Sequence, residues 1–416
     1  MREMTTAAGD HAPAPGRRLG SMPPALSTLD DEGLRRLLGG LGEPAWRARQ
    51  LGDAVWQPFA GSLSDVRQLP GGLRNRLEAH LRFITASEVS ATRADGGRTL
   101  KLLCALADGQ TVETVAMVTP ARGSSRGRAT VCVSTQVGCA VGCPFCATGM
   151  LGLRRSCSAA EVVDQVRLAG QALHRHGLGP VTHVVYMGMG EPLHAYDATL
   201  ASVRILATGA AISPRRITVS TSGVVPAIER LAREGLPVTL AISLHAATDE
   251  LRDRLVPLNR TQPLARLLAA AERYAAATGR RLSFEWCLIG GVNDSRGQAR
   301  ELARIARRLH AHVNVIPMNR IAGSPWGPPP PPVSRSFLRT LTEAGVAVTV
   351  RDTRGNDAEA ACGQLRAALE PRRELRPDGT LSAPRRTRTG SLRPGEAAAS
   401  ASEAGARVTA GVPAQR

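Results

Sequence analysis

Cys139-Ala-Val-Gly-Cys143-Pro-Phe-Cys146 sets three thiols in a C-x3-C-x2-C loop, a spacing suited to holding metal. A closed structural zinc site takes four ligands, and an iron–sulfur cluster used only for electron transfer normally takes four cysteines. Three thiolates on a four-iron cluster leave one iron open to a reactive ligand. Two more cysteines stand in pointed places: Cys132, seven residues before the loop, and Cys362, in the polar, glycine-flanked stretch Asn356-Asp357-Ala-Glu-Ala-Ala-Cys362-Gly363-Gln364-Leu365. Cys104, Cys157 and Cys287 sit in apolar or helix-start contexts and read as small core residues. Gly188-Met-Gly190-Glu191-Pro192 has the start of a dinucleotide fingerprint, but Leu193 occupies the third glycine position and no ribose-binding acid follows. A carboxylate on a glycine-softened strand end suits an amino group instead. His245, in Ser243-Leu244-His245, is either a ligand or base, or a structural hydrogen-bonder.

The elements that must position these groups alternate along the chain. Apolar, β-rich runs occur at residues 129–134, 182–187, 217–220, 238–242, 282–288, 313–316 and 346–350, with helical stretches between most of them. In the stretch 158–176, Ser158 and Glu161 form a capping box and Gly177 ends the helix. Buried strands alternating with helices predict a parallel sheet, and at least six such units predict an α/β fold, a closed or partly open (β/α) barrel. Chemistry in such barrels gathers at the C-terminal ends of the strands. Those ends carry Cys139, Cys143 and Cys146, then Gly190-Glu191, Ser220, Ser243 with His245, Asn319 and finally Cys362. One mouth would collect them.

Outside the barrel, expected over 129–368, the pattern changes. Residues 1–24 are rich in Ala, Gly and Pro and are expected to be a disordered leader. Residues 25–85 carry short helical patterns (31–38, 45–56, 73–81) broken by glycine and proline, expected to form a small all-helical accessory domain. Its Arg47, Arg49, Arg67, Arg74 and Arg76 offer either an RNA-facing surface or a charged solvent face. Residues 86–128 read as a β-hairpin extension, with strands at 99–105 and 111–117 turning at Asp108-Gly109 and a polar, basic loop at 119–128. Residues 369–416 are expected to be a disordered basic tail.

Composition narrows the class. With 416 residues and 43% apolar content the chain can bury a sizeable core. It has no run of about 20 apolar residues to cross a bilayer and no signal-peptide pattern, so a cytoplasmic location is expected. Eight cysteines without secretory features read as thiols or metal ligands rather than disulfides. The net charge of +18 suits a nucleic-acid partner, or reflects an Arg-rich composition.

Seven motifs occur in order between residues 26 and 365: the cysteine loop, Gly-Glu-Pro, Ser-Thr-Ser-Gly-Val-Val-Pro, Ala-Ile-Ser-Leu-His-Ala, Gly-Gly-Val-Asn-Asp, Ile-Pro-Met-Asn and Ala-Cys-Gly-Gln-Leu. Together they resemble the RlmN/Cfr family of radical-SAM adenine methyltransferases. The resemblance implies a partial (β/α)6 radical-SAM barrel in which Cys139, Cys143 and Cys146 ligate one [4Fe-4S] cluster and the open iron takes S-adenosylmethionine (SAM). It implies SAM contacts at Gly190, Glu191, Ser220, Ser243, Leu244, His245 and Asn319. Cys362 matches the methyl-carrying cysteine, Cys132 its thiol partner and Glu113 the proton acceptor.

The chemistry so implied suits carbon 2 of adenine, which has no nucleophilic lone pair and therefore needs a radical route. One SAM would methylate Cys362, and a second would give the 5′-deoxyadenosyl radical that activates the methyl group for addition to the base. Glu113 would then take a proton and Cys132 would resolve the protein–RNA crosslink through a transient disulfide. The implied partners are 23S rRNA, tRNA and a reducing electron donor such as flavodoxin, with the enzyme a monomer. Cfr-like methylation of carbon 8 stays open as the alternative, as does a non-catalytic, zinc-stabilised RNA-binding protein. Departures from the family lie at Ser156-Cys157, usually Asn-Leu, and at Met318 and Arg320 around Asn319.

Overall fold

The computed structural model describes residues 22–56, 60–121, 123, 127–321, 324–351 and 364. Cys362 and nearly all of the expected leader and tail lie outside the described residues.

Three helices open the described chain: α1 (Asp31–Gly40), α2 (Arg47–Val55) and α3 (Gly71–His80). Asp30 starts α1 by accepting a hydrogen bond from the Gly33 N–H at 2.7 Å. Leu38, Leu51, Val66 and Leu77 form a fully buried core of this module, separate from that of the sheet. Strands β1 (Ala86–Ala94), β2 (Thr99–Leu106) and β3 (Thr111–Thr119) follow, antiparallel to one another, and β3 pairs antiparallel with β4 (Arg128–Cys132). The hairpin thus continues the barrel sheet.

After β4 come the short β5 (Gln136–Val137), α4 (Ala147–Leu151) and β6 (Arg155–Ser156). The repeating units are then α5 (Ala159–Arg175), β7 (His183–Tyr186), α6 (Tyr196–Thr208), β8 (Ile217–Thr221), α7 (Val225–Ala232) and β9 (Thr239–Ser243). They continue as α8 (Asp249–Leu255), α9 (Leu264–Thr278), β10 (Ser283–Leu288), α10 (Arg296–Arg308), β11 (His312–Pro317), α11 (Pro331–Glu343) and β12 (Val348–Val350). The main sheet runs β1-β2-β3-β4-β7-β8-β9-β10-β11-β12, parallel from β4 onward. Among the described residues its end strands β1 and β12 do not pair, so the barrel they form is open.

Register explains why the strands build a lumen rather than a solid core. Pairing of Val185 with Thr218, Ser220 with Ala241, Ser243 with Glu285 and Glu285 with Asn314 puts these residues on one face. The other face carries Val184, Val219, Leu240, Phe284 and Val313, all buried in the apolar core against the helices. Period-two alternation therefore turns apolar side chains outward to the helices and small or polar ones inward. On α5 the expected capping box forms: Ser158 Oγ accepts from the Glu161 N–H at 3.2 Å, and Glu161 Oε2 accepts from the Ser158 N–H at 2.8 Å.

The same helix fastens the N-terminal module to the barrel. Arg167, paired with Asp164 at 2.8 Å, donates to the Val55 carbonyl at 2.8 Å and the Phe83 carbonyl at 2.6 Å. Asp164 accepts from the N–H and the hydroxyl of Thr85, each at 2.7 Å.

Candidate active site

The cysteine loop leaves β5 and returns through β6, whose pairing of Gln136 with Ser156 and Val137 with Arg155 closes its base. Two glycines let the loop press on itself. A Cβ at Gly138, where φ is +77°, would lie 1.8 Å from the Gly152 carbonyl oxygen, and one at Gly149 would lie 2.5 Å from that of Cys143. Ser156 accepts from Gln136 Nε2 at 3.2 Å, and Cys157 is buried with its N–H donated to Thr135 at 2.8 Å. The Ser156-Cys157 departure is thus absorbed into the ribbon that shapes the loop. Arg155 clamps its outer side to Asp108 of the β2–β3 turn and to Glu161 of α5.

Cys139, Cys143 and Cys146 line a cavity of about 1040 Å³, its open mouth included. The same wall carries Gly190, Glu191, Ser220, Ser243, His245 and Asn319, from the ends of β7, β8, β9 and β11. Burial pushes the Cys139 thiol up to about 12 and that of Cys143 well above its ordinary value, and the neighbouring cysteines add to both. Such thiols stay protonated until a cation displaces the proton. Among the described residues no three His, Cys, Asp or Glu side chains converge to hold a single metal ion. Three thiols ringing a cavity without converging on one point fit a multi-iron cluster better than a zinc ion.

Glu191 is buried, and its carboxylate is engaged: Oε2 accepts from the Ser222 N–H and hydroxyl, each at 2.7 Å, and Oε1 from the Leu193 N–H at 3.0 Å. The carboxylate thereby ties the Gly-Glu-Pro turn to the loop after β8 while Glu191 lines the cavity. Leu244 is fully buried and does not line the cavity; its backbone links Glu285, by N–H donation at 3.0 Å, to Arg252.

His245 adopts a left-handed conformation with φ +58°. Its Nδ1 accepts from the Cys287 N–H at 2.9 Å, and its carbonyl accepts from Asn293 Nδ2 at 2.8 Å. Burial first, and the charge of Arg252 second, lower its pKa to about 3, so the ring is neutral and carries its proton on Nε2.

Arg252 is fully buried on α8. Its guanidinium donates to the carbonyls of Ser222 at 2.6 Å, Leu244 at 3.1 Å and Ser243 at 3.2 Å, and to Asn259 Oδ1 at 2.9 Å. One cation thus joins the ends of β8 and β9, while its field favours the thiolate of Cys143. Deeper in the lumen, Glu285 Oε1 accepts from Ser283 and Asn314, and Oε2 lies 3.9 Å from Arg351 Nε with no hydrogen-bond partner among the described residues.

Glu113 and Cys132 come together on neighbouring strands. Cys132 faces Val115, and Glu113 is two residues from Val115 along β3, one diagonal step away on the same face. Both are buried; Lys101 Nζ lies 2.8 Å from Glu113 Oε1, and Ser134 Oγ donates to the Glu113 carbonyl at 2.6 Å.

Ser222, Arg252, Glu285 and Asn293 were not among the residues singled out from sequence. Ser222 and Asn293 sit inside motifs that were, but nothing local marks Arg252 or Glu285 as inward-facing. Cys287, read as a core residue, lines the cavity instead, because β10 alternates and position 287 shares the inner face with Glu285. Arg47 and Arg76 pair with Glu43, and Arg49 with Asp53.

An open α/β barrel with a three-cysteine loop at its mouth is a radical SAM architecture, and the Radical SAM superfamily model matches residues 133–303. A solved radical SAM methyltransferase from Sphaerobacter thermophilus superposes with a TM-score of 0.79 at 47% identity, covering 83% of this chain and all of that one. Proteins described as probable dual-specificity RNA methyltransferase RlmN are 46% identical in both Salinispora tropica and Moorella thermoacetica. These alignments cover 86% and 82% of this chain respectively, and 97% of each relative. The chain belongs to the RlmN family. Among the described residues no helix is long and apolar enough to cross a membrane.

Proposed function

We propose that the protein is a radical-SAM RNA methyltransferase that adds a methyl group to carbon 2 of adenine, at adenine 2503 of 23S rRNA and adenine 37 of tRNAs. The observation that carries this reading is one cavity walled by the cysteine loop and by Gly190, Glu191, Ser220, Ser243, His245 and Asn319, in a chain 46% identical to proteins described as RNA methyltransferases. Cys139, Cys143 and Cys146 would hold a [4Fe-4S] cluster. With SAM on its open iron, that cluster supplies the one-electron chemistry that reaches a carbon lacking a nucleophilic lone pair.

The chain's own residues do the rest. Gly190, Glu191, Ser220, Ser243, His245 and Asn319 present polar groups to SAM, and Leu244 acts through its backbone. Arg252 fixes the strand ends that carry them. Cys362 bears the methyl group, Glu113 takes the proton lost from the methylated base, and Cys132 forms a disulfide with Cys362 as the product leaves. Two SAM molecules are consumed per methylation. The adenine must be unstacked to enter the mouth, so the substrate presents it in a loop. A cytoplasmic monomer served by a flavodoxin-type donor completes the reading, with residues 25–85 as an accessory module.

Mass spectrometry of rRNA and tRNA from a deletion strain tests it: 2-methyladenosine should vanish at both positions. A lost 8-methyladenosine would move the assignment to carbon 8, and an unchanged profile would overturn it. Cys132→Ala should trap a covalent protein–RNA adduct. Anaerobic reconstitution yielding zinc without iron would exclude the radical reading.

A further inference from the structure

The face opposite the mouth also has a charged character. Between the N-terminal ends of β10, β11 and β12 runs a groove of about 1750 Å³, its open side included, lined by Arg280, Arg281, Arg304, Arg307 and Arg308. Among the described residues only Arg304 of these five meets a carboxylate, Glu301, at 2.9 Å. Arg281 donates to the His310 carbonyl at 3.1 Å and Arg280 to Thr239 at 2.9 Å, while Arg280 Nε is buried without a partner. In the helical module Arg35, Arg36, Arg47, Arg49 and Arg76 pair with acids, while Arg74 and Arg82 donate to the carbonyls of Ser64 and Pro23. Among the described residues one carboxylate, that of Glu301, thus stands against five guanidinium groups in this groove.

Helix dipoles account for Arg307 and Arg308, in the last turn of α10. Arg280 and Arg281 follow Gly279, the C-cap of α9, so the negative ends of two helices face this groove; five guanidinium groups exceed what two helix ends attract. The basic field extends along the same face, since Arg128 and Arg216 contribute, after burial, to lowering the pKa of His183 at the start of β7.

We propose that this groove is a second RNA-binding surface, gripping phosphates of the substrate far from the reacting base. The inference rests on the RNA methyltransferase reading. A polyanion is the occupant such guanidinium forks fit, and RNA already reaches the other face. The strands between the two faces are up to 6 residues long, about 20 Å, so the RNA must be folded and large enough to wrap the barrel.

The test is filter binding of full-length, unmodified 23S rRNA transcript to reconstituted Arg281→Gln/Arg307→Gln/Arg308→Gln enzyme across a salt series. Loss of three phosphate contacts should lower the slope of log K against log salt by about 2–3 and weaken binding at least tenfold, with iron content and SAM affinity at wild-type values. Isotherms and slope equal to wild type would overturn the proposal. If only the rate with an acidic electron-donor protein falls, the groove belongs to that protein and the proposal also fails. Should the triple variant misfold, the exposed pair Arg307→Gln/Arg308→Gln is scored the same way, with a slope change of about 1–2. Failure of the wild-type enzyme to methylate RNA would count against the methyltransferase reading instead.

Discussion

At the scale of single residues, the candidate site depends on groups that touch no ligand. Arg252 satisfies carbonyls at two strand ends, and its replacement by Met would leave them buried and unpaired. Arg252→Met should cost about 2–4 kcal/mol, read from denaturant midpoints, and Arg252→Lys should recover only part of it because an ammonium lacks the fork. Glu285 offers to the cavity a carboxylate oxygen that has no hydrogen-bond partner among the described residues, a natural acceptor for a hydroxyl of SAM. Glu285→Gln should weaken SAM binding by tenfold or more in equilibrium dialysis, with iron content unchanged. The cysteine loop and the strand-end serines are legible in sequence because spacing and strand periodicity fix their place. Arg252 is not: in the helical stretch Asp249–Leu255 a charged residue reads as solvent-facing, and only tertiary contact turns it inward.

Elements are joined by a few polar clamps. Arg167 and Asp164 sit in the interior between the helical module and the barrel, so Arg167→Met removes one partner of a buried pair along with its hydrogen bonds to Val55 and Phe83. A loss of about 3–5 kcal/mol is expected, with protease cleavage between module and barrel appearing before global unfolding. Arg155 makes a shallower clamp. Its hydrogen bonds, the largest influence on Asp108, hold that carboxyl below its ordinary 3.8. A depressed carboxylate contributes stability above the unfolded-state value and loses it as pH falls through the folded one. Because the Asp108 side chain is 44% exposed, the contribution is screened to less than about 1 kcal/mol. Urea midpoints should therefore separate slightly for wild type and Asp108→Asn above pH 3.8 and converge as pH falls through the lowered folded-state value. The capping box on α5 was readable because Ser158 and Glu161 stand three apart; the docking role of Arg167 was not, since its partners lie 84 and 112 residues away.

Taken whole, the molecule is an open sheet with two edges to protect. β1 carries a register irregularity between Glu88 and Ser90 and a mostly exposed, polar outer row, which discourages another strand from adding to it. Replacing Glu88 and Arg93 with Val should raise light scattering on concentration, whereas Val at the exposed turn position Ala107 would leave it unchanged. The parallel barrel, closed or partly open, was foreseeable from seven strand runs; the choice between the two needed the family resemblance, because closure depends on how many strands the lumen needs rather than on any one of them.

The ribbon of β5 and β6, with Gly138 packed against Gly152, has a further consequence for how the protein is assembled. A loop already drawn shut at its base has little closure entropy left to lose when metal arrives. Iron loading is thereby uncoupled from chain folding: the polypeptide can be synthesised, folded and stored as a finished receptacle, and stripping its iron should erase visible absorbance while leaving the far-UV circular dichroism intact.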